Sequence, residues 1–559
     1  MQFLPKSFAA IGIVLAQLMP ATAIADTPAS SYLVARHADR NNDFAISADY
    51  YLDALFFDPE NVELSLGAVH SLMALGDFEL AAEIAEPLAG TEAEVPAINM
   101  ALIADAAIEV EYARIVQLLE RPEISVNKLT DDLVLAWALL GADRQDDAFA
   151  QFQIVADDDR YQAIGLNHLG LAKAMVGDFG GALDAFQLAA DRNFQSPRAI
   201  VAEAQILAQL ERRSEATRRL REIFGQSPSV QDLLMDIESG APVAFSLITT
   251  PADGMAEIFF TLGDALNGDT PNLFNLYYAQ MAAEIRPNDT DALLLLAEMF
   301  EEMGRTELAR TYYLDVDEND PAYFSAAVGV AETLRAEGQL NEAVSHLEGV
   351  IADIGTGPYI LVTLGDIQRQ LKRYDAAAEA YTARIENPIK NGYQDWYVRY
   401  VRGIAHERLG MWPEAEADFR RALDLNPSQP QVLNYLGYSL VERREKLDEA
   451  LGMIEQAVAL RPDSGYIVDS LGWVFYRLGR FEDAVVPMEL AVELLATDPI
   501  VNDHLGDVYW MVGREYEARF QWQRAMSFDP EPVDEKRIRR KLEVGLTVVL
   551  EEEAEAAND

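Results

Sequence analysis

The sequence predicts an all-α protein, built as a superhelical solenoid of about 12–14 stacked helical pairs. Three observations support this prediction: a residue pattern that recurs every 33–35 positions, a composition rich in helix formers, and glycine-centred turn signals in register with the pattern. A fixed period of this size indicates one repeated pair of helices, because a single pair cannot bury its apolar face alone.

The pattern is clearest near the C-terminus, where Leu505-Gly506 is followed by Tyr509, Ala518, Trp522, Ala525 and Pro530. Matching sets begin at Leu471-Gly472 (Phe475, Ala484, Met488, Ala491), at Leu436-Gly437 (Leu440, Ala450, Ile454, Ala457, Pro462) and at Arg402-Gly403 (Ala415, Phe419, Ala422, Pro427). Small residues are expected where two antiparallel helices approach closely, and the large ones fill the adjoining space. Proline then ends the second helix.

The leading position of this frame recurs along the chain, at Val34, Ala68, Leu102, Leu135, Leu169, Glu203, Leu262, Leu296, Val330, Leu364, Arg402, Leu436, Leu471 and Leu505. One step is lengthened to 38 by the turn 387–392, and one step, between Glu203 and Leu262, is 59 residues. This combination of residues resembles the tetratricopeptide repeat (TPR). The resemblance implies a right-handed superhelix whose concave groove is lined by the first helix of each unit.

The expected organisation is a signal peptide (1–25), an N-terminal array (26–227), an irregular interruption (228–260), a C-terminal array (261–530), a capping helix (531–550) and a disordered acidic tail (551–559). Lys6, an apolar run and Ala23-Ile24-Ala25 have the order of a secretory signal, which predicts a mature start at Asp26.

The interruption is predicted because residues 243–251 are β-branched and bounded by proline, and because Asp253-Gly254 is typical of a turn. A bulky loop is the favoured interpretation, and a hinge or contact element is the alternative. The capping helix is predicted from an apolar stripe formed by Ile538, Leu542, Leu546 and Val549. Its basic cluster is expected to be a solvated face, with a binding patch as the alternative, and it comprises Lys536, Arg537, Arg539, Arg540 and Lys541.

Composition narrows the functional classes. A net charge of −49 argues against nucleic acid as a partner, since phosphate contacts require dense Lys and Arg. The absence of cysteine excludes disulfides, thiolate zinc sites and a lipid-modified N-terminal cysteine. The six histidines are scattered among the repeats, and no phosphate-binding loop or nucleophile elbow is present. We therefore expect no catalytic residue, no metal and no cofactor, and no integral membrane span.

Function is then expected on the groove surface. The groove positions of the C-terminal units carry Tyr397, Tyr400, Asn434, Tyr438, Tyr466, Asp469, Trp473, Tyr476, Asp503, Asp507 and Trp510. Aromatic side chains dominate binding hot spots, and the interspersed carboxylates favour a Lys- or Arg-bearing protein segment. The alternative is that several of these rings pack against the following repeat. The Asp residues replace the Lys and Arg of the repeats that clamp a terminal carboxylate, which argues against that ligand.

The stretch from Leu433 to Pro530 resembles the C-terminal half of long proteobacterial envelope TPR proteins. That group includes lipoprotein adaptors of periplasmic carboxyl-terminal-processing proteases, although this chain lacks their lipidated cysteine. The resemblance implies a periplasmic, non-enzymatic scaffold or adaptor that binds protein partners in its groove, with a protease adaptor as one such role. The alternatives are an accessory subunit of a secretion or polysaccharide-export machine and, less favoured, a TPR-decorated hydrolase.

Overall fold

A computed structural model describes residues 28–90, 96–225, 227–267, 273–357, 359–387 and 395–556. These residues form 31 α-helices and two short 3-10 helices, and no strand is assigned within the described ranges. The predicted all-α fold class is confirmed. The chain divides into two compact units, an N-terminal unit (Met1–Pro321) and a C-terminal unit (Ala322–Asp559). The predicted signal peptide lies outside the described residues.

The N-terminal unit contains eight helical pairs and one additional helix within its described residues. They are α1 (Pro28–Arg40) and α2 (Phe44–Phe57), α3 (Val62–Ala74) and α4 (Phe78–Ala85), α5 (Pro96–Ile108) and α6 (Tyr112–Leu119), α7 (Lys128–Gly141) and α8 (Gln145–Asp157), α9 (Gln162–Met175) and α10 (Phe179–Ala190), α11 (Pro197–Gln209) and α12 (Arg213–Phe224), the additional helix α13 (Gln231–Ser239), α14 (Pro251–Ala265) and α15 (Leu273–Ile285), and α16 (Thr290–Glu302) and α17 (Thr306–Leu314).

The C-terminal unit contains six pairs and two terminal helices in its described part. They are α18 (Tyr323–Ala336) and α19 (Leu340–Asp353), α20 (Ile360–Gln370) and α21 (Tyr374–Glu386), α22 (Asp395–Arg408) and α23 (Trp412–Leu425), α24 (Pro430–Glu442) and α25 (Leu447–Leu460), α26 (Gly465–Arg477) and α27 (Phe481–Leu494), α28 (Pro499–Met511) and α29 (Glu515–Ser527), and finally α30 (Pro532–Val544) and α31 (Leu546–Ala556).

Every leading position of the predicted frame lies on the first helix of a pair, from Val34 on α1 to Leu505 on α28. The small residues separate the paired helices as expected. A Cβ at Gly506 would overlap the indole of Trp522, and the alanine beside it, Ala518, is completely buried. The turn between α28 and α29 places Gly513 at φ 80°, a left-handed conformation that glycine adopts without a steric penalty.

The range 228–260, expected to be irregular, contains α13 and most of α14, and only residues 240–250 separate these two helices. Asp253 and Gly254 lie in the first turn of α14 rather than in a turn between elements. The local reason is a capping box: the Thr250 hydroxyl accepts a hydrogen bond from the Asp253 N–H, and the Asp253 carboxylate accepts one from the Thr250 N–H at 2.9 Å.

The C-terminal end also differs from the prediction of one helix and a disordered tail. Gly545, with φ 84°, separates α30 from α31, and residues 551–556 belong to α31. Ion pairs link the two helices across this break: Arg540 to Glu552 at 2.5 Å and Arg537 to Glu553 at 2.8 Å. Residues 532–556 therefore form a helical hairpin, and the acidic residues of α31 are helical because α30 supplies their counter-charges. Residues 557–559 lie outside the described part.

The N-terminal unit fills its own interior. Helices α14 and α15 pack against the first helices α3, α5 and α7 of the same unit. His70 Nδ1 lies 2.7 Å from the Tyr277 hydroxyl, and Gln280 Nε2 donates to the Ala74 carbonyl at 2.8 Å. The nine consecutive residues from Asn275 to Ala283 are all buried, which is the pattern of a helix enclosed on every side.

Candidate functional site

The side of the C-terminal unit that is lined by the first helices contains an open cavity of about 470 Å³. Four predicted groove residues line it, Asn434, Tyr438, Tyr466 and Asp469. The additional lining includes Glu407, Trp412, Tyr435, Glu442, Arg443, Asp498 and His504. Four successive first helices, α22, α24, α26 and α28, therefore contribute to one concave surface, called here the open cavity.

Two polar atoms in the lining have no internal partner. Asn434 Oδ1 and Trp412 Nε1 are both buried, and neither makes a hydrogen bond within the described structure. The Arg443 guanidinium lies 4.7 Å from the Trp412 ring centroid, so it covers the indole face without accepting its N–H. Unsatisfied buried polar atoms are uncommon in folded proteins. Because neither atom is exposed, each could pair with the N–H or C=O group of a peptide only after the side chains around it shift.

The phenols of the cavity remain hydrogen-bond donors. Burial raises the pKa of Tyr435 to about 12 and also raises the pKa of Tyr438, so both hydroxyls stay protonated at neutral pH. Tyr466 is the most accessible predicted residue, with 60% of its surface exposed. Its hydroxyl lies 3.2 Å from a carboxylate oxygen of Asp498, to which it donates. The cavity thus presents neutral phenols and carboxylates beside exposed aromatic surface, with the Tyr435 and Tyr466 hydroxyls donating to Glu407 and Asp498.

Trp473 is packed rather than exposed. It is 7% exposed, and its indole is stacked with Tyr476 and His504 at centroid distances of 4.7 and 3.9 Å. Its Nε1 donates to Glu442 at 2.6 Å. The alternative reading of the sequence, packing against neighbouring repeats, describes this ring, because His504 belongs to the next first helix. Trp473 therefore packs between the first helices that form the wall of the groove and exposes little surface to the groove itself.

His504 lies against a carboxylate within this wall. Its Nδ1 lies 3.1 Å from both carboxylate oxygens of Asp469. Burial lowers the pKa of His504, but the carboxylate of Asp469, followed by those of Asp503 and Asp507, outweighs burial and raises it above its usual value. The Asp469 carboxylate accordingly has an internal partner, the His504 imidazole.

Asp503 and Asp507, called here the acid pair, already hold a lysine. Lys541 of α30 is completely buried, and its Nζ lies 2.8 Å from Asp503 and 2.6 Å from Asp507. Arg537, one turn earlier on α30, lies 3.3 Å from Asp507. Lys541 and Arg537 of the basic cluster are therefore not a solvated face, because they are turned toward the carboxylates of α28. Burial and the Asp507 carboxylate raise the pKa of Asp503, and Lys541 opposes both effects.

Trp510 is covered by the same hairpin. Its Nε1 donates to the Thr547 hydroxyl at 3.0 Å, and a Cβ at Gly545 would overlap its indole. The Arg519 guanidinium lies 5.6 Å from the ring centroid. Thus the acid pair and Trp510 form a second part of the groove, which the α30–α31 hairpin occupies.

Tyr397 and Tyr400 lie apart from the open cavity. The Tyr397 hydroxyl donates to Asp366 at 3.2 Å on the preceding first helix. Tyr400 packs edge-on against Tyr435 with ring centroids 5.9 Å apart. Both rings serve contacts between neighbouring repeats.

Sequence reasoning did not identify Trp412, Tyr435, Glu442, Arg443 or His504 as part of the site. Trp412 begins a second helix, and the sequence assigns second helices to the opposite side of the unit. The other four residues lie outside the groove positions of the frame. The sequence did contain one signal for them. Each of the five is aromatic or charged, and each lies on, or next to, a helix that carries a predicted groove residue.

Within the described ranges, no group of three or more His, Asp or Glu side chains is arranged to hold a metal ion. The same part of the chain contains no helix with the length and apolar character required to cross a membrane.

Comparison with known families agrees with the geometry of the repeats. Residues 362–430, 400–464 and 436–499 match one tetratricopeptide repeat family model, and residues 291–322 match another. These parts of the chain are tetratricopeptide repeats. The matched residues include α22, α24 and α26 of the open cavity, and repeats of this kind are suited to protein binding.

Two curated relatives match part of the chain. A TPR repeat-containing protein of Pseudomonas aeruginosa is 28% identical over 190 residues, which are 34% of this chain and 31% of that protein. A lipoprotein NlpI homolog of Haemophilus influenzae is 39% identical over 87 residues, 15% of this chain and 26% of that protein. The chain thus spans less than a third of the length of either relative.

Solved TPR structures also match. A tetratricopeptide repeat protein from Parabacteroides merdae is 16% identical with a TM-score of 0.37, covering 46% of this chain and 98% of that chain. The APC/C hetero-tetramer Cut9-Hcn1 is 13% identical with a TM-score of 0.39, covering 93% of this chain and 97% of that chain. Neither likeness bears on function.

Proposed function

We propose that the protein is a non-enzymatic scaffold of the bacterial periplasm that binds an extended segment of a partner protein in the open cavity of the C-terminal unit. The observation that carries this proposal is the cavity itself, in which exposed Tyr466 lies beside the unpartnered Asn434 Oδ1 and Trp412 Nε1. Aromatic surface supplies contact area at a low entropic cost, and the two polar atoms would pair with the partner backbone.

Two observations of different kinds favour a role in the cell envelope. The signal-like order at the N-terminus favours export, and the partial similarity to a lipoprotein NlpI homolog favours the cell envelope. We place the protein in the periplasm as an adaptor, with delivery of substrates to an envelope protease as the specific role. Export is tested by the mass of the protein from an envelope fraction: the mature chain should begin at Asp26, and a cytosolic chain that retains Met1 would overturn the location.

Partner binding is tested by affinity capture from that fraction with the intact mature protein. The variant Asn434→Ala/Tyr466→Ala removes one buried acceptor and the exposed ring, and should lose at least about 2 kcal/mol of affinity for the captured partner. Its stability should change little, because Tyr466 is mainly exposed. Tyr516→Ala is the matched control, since Tyr516 lies on second helix α29 and is 90% exposed. Equal capture by all three proteins would exclude the open cavity as the binding site.

A further inference from the structure

Part of the groove of the C-terminal unit is occupied by a segment of the same chain, the α30–α31 hairpin. We propose that the acid pair and Trp510 form a receptor for a basic helix of a partner protein, and that the α30–α31 hairpin holds this receptor until such a helix displaces it. This inference rests on the proposed function, because it assigns a second contact to the same groove. It adds the chemistry of the partner: a helix that presents Arg and Lys four residues apart, as Arg537 and Lys541 do.

The receptor is defined by contacts within the chain. The Lys541 ammonium lies within 2.9 Å of all four carboxylate oxygens of the acid pair. Asp507 also accepts a hydrogen bond from Trp522 Nε1 at 2.9 Å, which fixes its carboxylate from the repeat side. The acid pair is therefore held in place by the repeats, and the hairpin contributes the cation.

The hairpin is held by apolar and ionic contacts together. Ile538, Leu546 and Val549 are its buried apolar side chains, and of the thirteen residues of α30 only Ile538 and Lys541 are buried. A buried ion pair contributes little net stability compared with apolar residues of similar size, because both ions lose their hydration. A helix that served only to cover the last repeat would be held better by apolar side chains. The buried lysine instead gives the contact chemical selectivity for a cation.

The hairpin is built to move as one piece. Arg537 and Arg540 pair with Glu553 and Glu552 across the break, so α30 and α31 remain joined when they leave the groove. The break itself is Gly545, which lies against the Trp510 indole where a Cβ would overlap the ring. Substitution of Gly545 therefore disturbs docking of the hairpin without changing a residue of the receptor.

The first experiment uses the unmodified protein and measures hydrogen exchange. Residues 532–556 should exchange faster than α28 and α29, because the hairpin opens without unfolding the repeats. Exchange of residues 532–556 at the same rate as α28 would show that the hairpin is an integral part of the core, and would overturn the proposal.

The second experiment adds a fluorescent peptide of residues 532–556 as the probe and measures anisotropy. Because the hairpin occupies the receptor, the peptide can bind only to the molecules in which the hairpin has opened. Its apparent affinity is therefore the intrinsic affinity multiplied by the fraction of open molecules. Gly545→Val protein should bind the peptide at least 10-fold more tightly than unmodified protein, and adding Asp503→Asn/Asp507→Asn should remove this gain. A Lys541→Met peptide should lose most of the affinity, whereas a Lys536→Met peptide, changed at an exposed lysine of the same helix, should retain it.

The outcomes separate this inference from the proposed function. Equal peptide binding by the unmodified and Gly545→Val proteins would remove the displaceable hairpin but leave partner capture in the open cavity intact. Equal capture by Asn434→Ala/Tyr466→Ala and unmodified protein, together with tighter peptide binding by Gly545→Val, would remove the open cavity as the binding site but leave the displaceable hairpin intact. Light scattering identifies the other possible occupant: a dimer formed by Gly545→Val would mean that the receptor takes the hairpin of a second copy, contradicting a hetero-partner.

Discussion

In the N-terminal unit, the side lined by first helices is filled by α14 and α15, whereas in the C-terminal unit it is divided between the α30–α31 hairpin and an open cavity. The two inner contacts also differ in chemistry. Helix α15 is enclosed through neutral groups, such as Tyr277 and Gln280. Helix α28 is enclosed over a similar length, Val501 to Tyr509, but its inward residues include Asp503 and Asp507. The neutral contacts of α15 belong to the core of the N-terminal unit. In our proposal, the charged contacts of α28 select a cationic helix.

One ionic cluster does occur inside the N-terminal unit. Arg198 of α11 lies 2.9 Å from Glu257 of α14 and 2.7 Å from Asp289 at the start of α16. Burial raises the pKa of Glu257 to about 7 although Arg198 opposes it. This cluster joins three helices of the unit itself, whereas Lys541 belongs to a terminal hairpin whose other buried side chains are Ile538, Leu546 and Val549. The two buried cations therefore differ in what they connect: Arg198 joins helices within the core of its unit, and Lys541 joins the terminal hairpin to the repeats. The following predictions test this difference.

The largest effect is expected from Trp137→Ala. Trp137 is completely buried, packs edge-on against Phe152 at 5.0 Å, and meets Gly254 of α14. Truncation should destabilise the N-terminal unit by about 3–5 kcal/mol through lost burial and a cavity. Urea denaturation measures the loss, and hydrogen exchange should locate it in α7 and α14. Phe57→Ala, at a ring that is 56% exposed, is the control and should stay within about 0.5 kcal/mol. A similar loss in both variants would mean that α14 is not part of the core.

Lys541→Met should have the next largest effect. It leaves the acid pair without its buried cation, a change that costs up to about 3–5 kcal/mol when the charges stay buried. Release of the hairpin limits this cost, because the carboxylates then regain water. Hydrogen exchange of residues 532–556 should therefore rise more than exchange of α28. The combined variant Asp503→Asn/Asp507→Asn/Lys541→Met should recover most of the stability. Failure to recover it would assign the loss to packing of the lysine stem.

Ala518→Trp tests the register of the last repeat and should cost about 1–3 kcal/mol through overpacking. Ala518 is completely buried on α29, at the close approach to Gly506. Val486→Trp is a suitable control, because Val486 lies on second helix α27 and is 72% exposed. If the thermal unfolding curves of Ala518→Trp and the unmodified protein coincide, the assigned helix contact is wrong.

The smallest effect is expected from pH. The pKa of His504 is raised in the folded state by Asp469, Asp503 and Asp507 against the opposing effect of burial. Its contribution to stability is therefore fully present below the unfolded value of about 6.5 and is lost as the pH rises through the folded pKa. The unmodified protein should exceed His504→Gln in stability at pH 6, and the difference should shrink toward pH 9. A difference that grows with pH would mean that His504 is neutral in the fold.

The repeat register was predictable because steric constraints within one helical pair are local. Gly506 and Trp522 are sixteen residues apart, and their contact follows from the fixed length of two helices and a turn. Four of the eleven predicted groove residues share one cavity for the same reason. Asn434, Tyr438, Tyr466 and Asp469 do line one cavity.

The sequence by itself determined an all-α chain of stacked helical pairs, the first helix of each pair, and four of the residues that line the open cavity. Only the tertiary structure decided which parts of the groove are occupied. Trp137 meets Gly254, and Asp503 meets Lys541, which is 38 positions away. The physical reason is that a buried carboxylate and a solvent-exposed one have the same sequence pattern, and only the approach of another helix removes the water.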